Sequence, residues 1–202
     1  MKVGCIVLAG GRSSRLGRDK ASVKLGGQTL LQRSVCNLEF LRSEVIIVAA
    51  PEQRLPRINS TARLKIVTDI TSGKGPLVGV YTGLINSAHL FSFLVACDMP
   101  FVKRTLVERM IKIAPGYDVV IPRRPQGLEP LHAIYSRSCT GPIESLIKAG
   151  RYKIDSLLEC VKVRYFEESE IAAIDPPGIS FFNINTPSDL ARAEELLDGN
   201  HE

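Results

Sequence analysis

Four cationic side chains lie within nine residues near the start of the chain, in a segment rich in glycine. Residues 8–20 read Leu-Ala-Gly-Gly-Arg-Ser-Ser-Arg-Leu-Gly-Arg-Asp-Lys, and the cations are Arg12, Arg15, Arg18 and Lys20. A glycine-rich backbone can approach phosphate oxygens closely and donate N–H groups to them, while Arg and Lys neutralise the negative charge. We therefore predict that this segment binds a phosphorylated ligand. A solvated basic surface loop is the alternative interpretation.

The spacing of the glycines excludes the two best-known phosphate-binding motifs. A P-loop requires four residues between its glycines and then Lys, whereas five residues separate Gly11 from Gly17 and Arg18 follows. The dinucleotide-binding pattern G-x-G-x-x-G also fails, because Gly10 and Gly11 are adjacent. The segment must therefore be a third kind of phosphate loop.

A second candidate group is the carboxylate that ends an apolar run. Residues 91–97 read Phe-Ser-Phe-Leu-Val-Ala-Cys, and Asp98 follows them directly. A carboxylate at the carboxyl end of a strand would share an edge of the sheet with the glycine-rich segment, and phosphoryl chemistry there uses Mg²⁺ held by one or two carboxylates. Asp98 is therefore a candidate Mg²⁺ ligand. The alternatives are that it caps the helix expected near Lys103 or simply ends the strand.

Short apolar runs alternate with longer stretches of helical periodicity, which predicts an α/β domain with a largely parallel sheet. The predicted strands are residues 2–9, 44–50, 65–68, 91–97, 118–121, 131–135 and 161–166. The predicted helices are residues 28–41, 76–87, 103–113, 140–149 and 187–197. Thr186 and Pro187 are typical of the start of the last helix. Residues 123–127 are expected to form an exposed loop.

Composition describes an ordinary globular domain with an excess of positive charge. The chain has 202 residues, 45% of them hydrophobic, and a formal net charge of +5. Such an excess invites a nucleic-acid interpretation, but the sequence contains neither a recognition-helix pattern nor an RNP aromatic signature. The five cysteines are isolated from one another, so we interpret them as core thiols in a reducing cytoplasm. We expect no secretory leader and no membrane span.

Five segments taken together carry a resemblance to a known family. Residues 8–20 resemble the signature loop of the nucleotidylyltransferases, and among these the chain looks most like the molybdenum cofactor guanylyltransferases, although Leu16 stands where that family usually has Met. The other four segments agree in order: Gly-Pro-Leu-Val-Gly at 75–79, Val-Ala-Cys-Asp-Met-Pro-Phe at 95–101, Glu-Pro-Leu-His-Ala-Ile-Tyr at 129–135 and Phe-Asn-Ile-Asn-Thr-Pro at 182–187. The resemblance covers nearly the whole chain.

The resemblance implies a fold and a division of labour along the chain. The fold would be a single Rossmann-like domain with a mostly parallel, mixed central sheet flanked by helices, similar to the nucleotide-diphospho-sugar transferases. Residues 1 to about 115 would bind the nucleotide, and residues 116 to 202 the acceptor. The expected location is the cytoplasm.

The resemblance also implies roles for individual residues. The GTP-binding residues would be Leu8, Ala9, Gly10, Gly11, Lys20, Asp69, Gly75 and Asp98. The catalytic residues would be Arg15, Lys20 and Asp98, with Asp98 as the ligand of Mg²⁺. Three further residues, Asn183, Asn185 and His132, would lie near the acceptor or the metal. From the residues alone, Asp69 is a surface turn, Gly75 is ordinary helix punctuation and Asn185 is a turn before the last helix.

The implied reaction is transfer of GMP from GTP to the phosphate of molybdopterin, or of the molybdenum cofactor, with release of pyrophosphate. This reaction needs no difficult proton abstraction, so Glu129 and His132 are interpreted as pocket wall or acceptor contacts, with a purely structural role as the alternative. Alternatives are the use of CTP, or a different phosphorylated acceptor such as a sugar phosphate. A nucleotide-binding protein without turnover is the non-enzymatic alternative. Transient contacts with other cofactor-biosynthesis proteins are expected, and nucleic-acid and membrane partners are not.

Overall fold

A computed structural model describes residues 1–10, 19–70 and 74–198 of the chain. These residues form one central β-sheet with α-helices on both of its faces. The prediction of an α/β domain with a mostly parallel sheet is confirmed. The functional division near residue 115 stays a prediction. Within the described ranges, no helix is long and apolar enough to cross a membrane.

Ten strands occur in the described residues. In chain order they are β1 (Gly4–Leu8), β2 (Lys24–Leu25), β3 (Gln28–Thr29), β4 (Val45–Ala49), β5 (Leu64–Thr68), β6 (Phe91–Ala96), β7 (Val119–Arg124), β8 (Gly127–Leu128), β9 (His132–Ser136) and β10 (Val163–Glu167). The central sheet has the order β10-β7-β9-β6-β1-β4-β5, with β8 paired to β7, while β2 and β3 form a separate hairpin. Only β9 and the short β8 run antiparallel to their neighbours in the central sheet, as far as the described chain shows.

Helices cover the two faces of the sheet in two groups. They are α1 (Leu30–Leu38), α2 (Pro76–Asn86), α3 (Arg104–Ile113), α4 (Thr140–Lys148), α5 (Ile154–Leu158), α6 (Glu168–Ala172) and α7 (Pro187–Asp198). Buried residues of α1, α3 and α6 pack on one face, and those of α2, α4 and α5 pack on the other. Helix α7 packs with the β2–β3 hairpin in a third, smaller core. The sheet is therefore buried on both sides, as expected for strands with continuous apolar runs.

The helix predicted over residues 28–41 is shorter than expected at both ends. Gly26 and Gly27 have positive φ angles and reverse the chain, so that β2 and β3 can pair. The Thr29 hydroxyl then accepts a hydrogen bond from the Gln32 amide, and α1 begins at Leu30. A 3₁₀ turn replaces the last three predicted residues. The prediction missed the hairpin because two-residue strands leave almost no periodic pattern.

The exposed loop predicted over residues 123–127 is also wrong in part. Arg123 and Arg124 extend β7 and pair with Leu128 and Gly127 of β8. Gly127 has a φ of 136°, which side chains rarely adopt, so glycine permits this tight reversal. The segment is therefore a hairpin whose turn consists of residues 125 and 126.

The interpretation of the cysteines as core thiols holds for three of the five. Cys5, Cys97 and Cys139 are buried, whereas Cys36 is partly exposed and Cys160 is exposed. Cys160 follows the short helix α5, where its Sγ contacts the Ser156 carbonyl rather than the core. All five thiols are free.

Two glycines allow α2 to lie unusually close to β1. A Cβ atom on Gly79 would stand 3.3 Å from Leu8 Cδ2, and one on Gly83 would stand 2.6 Å from Ile6 Cγ2. Both Ile6 and Leu8 belong to the central strand, and Ile6 is fully buried. The glycines therefore set the distance between the helix and the strand, and with it the position of the start of α2 above the sheet edge.

We predict that Gly83→Ala lowers the free energy of unfolding by about 1–3 kcal/mol, because the new methyl group must displace the β-branched Ile6 side chain in a packed core. Gly141, in α4, is the matched control: a Cβ atom there has no neighbour within 4 Å. Gly141→Ala should therefore raise the free energy of unfolding by about 0.5 kcal/mol. Urea denaturation of the wild type and the two variants measures both changes in unfolding free energy. Destabilisation by both substitutions would contradict the packing argument.

Candidate active site

The site lies where the carboxyl ends of β1 and β6 meet. β1 pairs in parallel with β4 on one edge and with β6 on the other, so the chain leaves β1 at the point where the strand order reverses. Open α/β sheets bind their ligands in the crevice at such a point. The Cys97 amide donates to the Leu8 carbonyl over 3.0 Å, which holds the two strand ends together. Gly10 and Asp98 therefore lie at the same edge, as the sequence predicted.

The ammonium group of Lys20 joins three segments that are far apart in sequence. Its Nζ atom lies 2.6 Å from Asp98 Oδ2 and donates to Asn185 Oδ1 over 2.5 Å. The Lys20 and Asp98 side chains are only 18% and 14% exposed. Three of the predicted site residues are thus brought together in a partly buried ionic cluster.

Local structure fixes the lysine from its own side of the cluster. Asp19 caps the 3₁₀ turn Lys20–Ser22, because its carboxylate accepts a hydrogen bond from the Ala21 amide. Ala21 is completely buried in the core between the sheet and α1. The backbone that carries Lys20 is therefore anchored on both sides of that residue.

Asn185 reaches the cluster because the preceding residue is hydrogen-bonded to the backbone of Asp98, just after β6. The Ile184 amide donates to the Asp98 carbonyl over 2.9 Å, and the Ile184 side chain is fully buried. Thr186 caps α7, as predicted: its hydroxyl accepts from the Asp189 amide, and the Asp189 carboxylate accepts from the amides of Asn185 and Thr186. The carboxamide of Asn185 is thus held in place by a capped helix start.

Asp69 and Gly75 lie along the other side of the same edge. The Asp69 amide donates to the Ala49 carbonyl beyond the ends of β4 and β5, and its carboxylate accepts a hydrogen bond from Thr82 in α2. Gly75 is the N-cap of α2, with a φ of 122°, and a Cβ atom there would stand 2.9 Å from the Tyr152 carbonyl. Both the positive φ angle and the close approach of the Tyr152 carbonyl therefore favour glycine at position 75.

The expected phosphate cradle of backbone amides is wrong for Gly10. Its amide donates to the Val48 carbonyl over 3.3 Å, and the Ala9 amide donates to the same oxygen over 2.9 Å, just beyond the end of β1. Gly10 itself is exposed, and a Cβ atom would stand 3.0 Å from the Ala50 amide nitrogen. Gly10 therefore leaves the backbone at this edge of the sheet exposed and uncovered by a side chain. Gly11 and Arg15 lie outside the described residues.

His132 is not a site residue. The imidazole is completely buried between the rings of Phe93 and Phe181, whose centroids lie 5.0 and 4.9 Å from its own. Burial lowers the pKa of His132 to about 3, so the ring is neutral. The expectation that it contacts the acceptor or lies beside the metal is therefore wrong, because β9 directs the ring into the aromatic core.

Asn183 and Cys97 also lie next to the cluster, but with different contacts. The Asn183 carboxamide donates to the Phe181 carbonyl over 3.1 Å, and this contact leaves it separate from the Lys20 cluster. Burial and the neighbouring Asp98 raise the pKa of the Cys97 thiol. Cys97 is therefore a neutral core thiol rather than a nucleophile.

One atom of the cluster has an unused capacity to bind a cation. Asp98 Oδ1 is buried and makes no hydrogen bond with the described residues. The described ranges contain no group of three or more His, Cys, Asp or Glu side chains arranged to hold a metal on their own. Mg²⁺, however, is commonly bound by one or two carboxylates together with substrate phosphates. Asp98, with the amide oxygen of Asn185, fits a metal that is completed by a nucleotide.

Gln53 is a neighbour of the site that sequence reasoning missed. Its carboxamide contacts both the Ala9 carbonyl and the Asp19 carboxylate, at the two ends of the glycine-rich segment. The one available signal is that it lies just after β4, in the turn Ala-Pro-Glu-Gln.

The buried imidazole gives a prediction about pH. Its pKa in the folded protein, about 3, lies below the usual 6.5, so the unfolded chain binds the proton more tightly. His132 therefore favours folding above pH 6.5 and progressively loses that contribution as the pH falls towards 3. Between pH 6.5 and 4.5 the loss should reach about 2–3 kcal/mol of unfolding free energy.

Urea denaturation at several pH values measures the unfolding free energy of the wild type and of His132→Leu. Between pH 6.5 and 4.5 the unfolding free energy should fall less steeply in the variant than in the wild type. An NMR titration of the wild-type imidazole is a second measurement that does not depend on the variant folding. A ring that titrates near pH 6 would contradict the neutral core assignment.

Comparison with known proteins agrees with this geometry. A family model described as a MobA-like NTP transferase domain matches residues 5–167. A probable molybdenum cofactor guanylyltransferase of Pelotomaculum thermopropionicum is 37% identical over 193 residues, which cover 96% of this chain and 92% of that protein. A molybdenum cofactor guanylyltransferase of Desulfosudis oleivorans is 36% identical over 194 residues, covering 95% of this chain and 94% of its own.

A solved structure is similar over almost the same length. The crystal structure of molybdopterin-guanine dinucleotide biosynthesis protein A from Archaeoglobus fulgidus superposes with a TM-score of 0.83 at 31% identity, covering 98% of this chain and 100% of that one. The family match includes Lys20 and Asp98, and these relatives cover 95–98% of the chain. The chain is therefore a nucleotidyltransferase that belongs to the MobA-like NTP transferase family.

Proposed function

We propose that this enzyme transfers GMP from GTP to the phosphate of molybdopterin and releases pyrophosphate. The observation that carries the proposal is the cluster at the sheet edge, where the Lys20 ammonium lies 2.6 Å from Asp98 and 2.5 Å from Asn185. This arrangement places a cation suited to phosphate oxygens beside a carboxylate suited to a metal. The names of the relatives support guanine as the base and molybdopterin as the acceptor.

The reaction exchanges one phosphorus–oxygen bond for another. A phosphate oxygen of molybdopterin attacks the α-phosphorus of GTP and forms the new bond. The bond from that phosphorus to the oxygen bridging to the β-phosphate breaks, and pyrophosphate leaves with the bonding electrons. The attacking phosphate monoester is already ionised near neutral pH, so no side chain needs to remove a proton. The burial of His132 in an aromatic core is compatible with such a mechanism.

Lys20 neutralises charge in this scheme. Its ammonium group exchanges Asp98 and Asn185 for oxygens of the triphosphate and stays beside them as charge builds on the leaving pyrophosphate. Electrostatic stabilisation of a developing charge is usually the largest single contribution to the rate of such a reaction. We assign Arg15 a similar role on the basis of its place in the signature segment.

Asp98 and Asn185 are the residues that would hold Mg²⁺ when the nucleotide is bound. The ion would supply positive charge to the triphosphate oxygens. The buried, unbonded Oδ1 atom of Asp98 supports this assignment.

The nucleotide would lie along the carboxyl ends of β1, β4 and β5. Leu8, Ala9 and Gly10 offer a backbone surface, Asp69 is proposed to contact the guanine nucleotide, and Gly75 opens the N-terminus of α2, where backbone N–H groups favour anions. The acceptor would then lie over residues 116–202, with Asn183 near it. The five free thiols support a reducing cytoplasm as the location.

The direct test is incubation of the protein with GTP labelled at the α-phosphate, Mg²⁺ and molybdopterin. Label should enter a molybdopterin guanine dinucleotide, with one pyrophosphate released for each molecule formed. Parallel reactions with CTP, and with a sugar phosphate as acceptor, should give at least tenfold less product. Equal transfer to another acceptor, or GTP binding without pyrophosphate release, would contradict the proposal.

We predict that Asp98→Asn lowers kcat/KM for GTP by about 100-fold or more, because the substitution keeps the shape of the side chain and removes its charge. Asp118→Asn is the matched control, since Asp118 lies before β7, at the opposite edge of the sheet, and bonds Ser138 and the Lys162 amide. Steady-state kinetics over a range of Mg²⁺ concentrations measure the difference. Full activity of Asp98→Asn at every Mg²⁺ concentration would exclude the assigned role.

A further inference from the structure

The carboxamide of Gln53 connects three segments around the site. Its Nε2 group donates to the Ala9 carbonyl over 2.9 Å and to both carboxylate oxygens of Asp19 over 2.9 and 3.0 Å. Its Oε1 atom accepts a hydrogen bond from the Ala50 amide over 2.8 Å. Both ends of the carboxamide are therefore used, and the side chain has one orientation.

The turn that presents Gln53 is conformationally strained. The Gln53 amide donates to the Ala50 carbonyl, which closes a tight turn directly after β4. Within this turn Glu52 has a φ of 61°, in the left-handed region that favours glycine. Non-glycine residues keep such angles only where surrounding contacts enforce them, and they are concentrated at functional sites.

Gln53 reaches the reacting groups through Asp19 and Lys20. Both Asp19 carboxylate oxygens accept from Gln53, and one of them, Oδ1, also accepts from the Ala21 amide. Asp19 thereby caps the turn that carries Lys20. Lys20 is the next residue along the chain, and its ammonium lies against Asp98 and Asn185. A rotation of the Asp19 carboxylate would release the cap and with it the direction of the lysine side chain.

We propose that Gln53 is a positioning residue for nucleotidyl transfer, which holds Asp19 against the end of β1 and thereby fixes Lys20 towards the triphosphate. The proposal rests on the proposed function for its effect on rate. Its structural part, the restraint on Asp19, stands independently of that function.

The test uses Gln53→Leu, which keeps the approximate size of the side chain and removes every hydrogen bond that the side chain makes. kcat/KM for GTP should fall about tenfold or more, because the charge of Lys20 would no longer be held in place. In a Lys20→Met background the same substitution should change kcat/KM less than twofold, since the positioned group is already absent. Equal losses in the two backgrounds would show that Gln53 acts on folding alone and would overturn the proposal.

Gln32 supplies a matched control. Its carboxamide also donates to one backbone group and accepts from another, bonding the carbonyl and the amide of Asn59 over 2.7 Å each, between α1 and a loop away from the site. Gln32→Leu should leave kcat/KM unchanged even if it lowers the stability. A similar loss of activity in both glutamine variants would count against a specific role for Gln53.

A charge exchange offers a rescue. Gln53→Glu places a second carboxylate against Asp19, and activity should fall further than in Gln53→Leu. Adding Asp19→Asn removes the repulsion between the two carboxylates and restores an amide–carboxylate pair, so part of the loss should be recovered, although the Ala9 carbonyl still lacks its donor. Absence of any recovery would contradict a direct contact that matters for the rate.

Amide hydrogen exchange of the ligand-free protein separates this proposal from the proposed function. Exchange at the Ala21 amide should be about tenfold faster in Gln53→Leu than in the wild type, and unchanged in Gln32→Leu. If the wild type transferred no nucleotide, the proposed function would fail, while the Ala21 result would still decide whether Gln53 restrains Asp19. Unchanged exchange at Ala21 would overturn the restraint itself.

Discussion

Strand β1 determines where the functional groups meet, because it is hydrogen-bonded on both edges. Its pairing with β4 and β6 makes it the strand from which the chain turns in both directions across the sheet. The bond from Cys97 to Leu8 then holds the ends of β1 and β6 side by side. Helix α2 presses against the same strand through Gly79 and Gly83. The positions of Gly10, the Asp98 carboxylate and the start of α2 all follow from this one strand.

Most of the fold could be predicted because its longer strands and helices have recognisable patterns of apolar residues. Buried parallel strands are nearly continuous apolar runs, and the five longer helices show periodic apolar faces. The missed elements are short ones that are stabilised by tertiary packing rather than by their own sequence pattern. The β2–β3 hairpin has two residues in each strand, and α5 and α6 have five residues each, so periodicity is undetectable and tertiary packing decides. The hairpin at residues 123–128 was missed for the same reason.

The site was predictable where position along a strand decides position in space. Asp98 and the segment leading to Lys20 follow neighbouring strand ends, so their meeting could be anticipated, whereas only the family resemblance placed Asn185 beside them. The direction in which an individual amide or side chain points could not be predicted in this way. The Gly10 amide turns towards β4, and the His132 ring turns into a pair of phenylalanines contributed by distant segments. The Gln53 carboxamide makes hydrogen bonds to Ala9 and Asp19, which are 44 and 34 residues away in the sequence, and no local pattern encodes these contacts.

The ion pair between Lys20 and Asp98 has a thermodynamic consequence for ligand binding. Without ligand, the Lys20 ammonium group is paired with the Asp98 carboxylate. A polyanion that attracts Lys20 uncovers the negative charge of Asp98, and a cation that binds Asp98 releases Lys20. Each ligand thereby removes the competitor of the other, and linkage requires the enhancement to be equal in both directions. Under the proposed function, the nucleotide and the cation would therefore bind cooperatively.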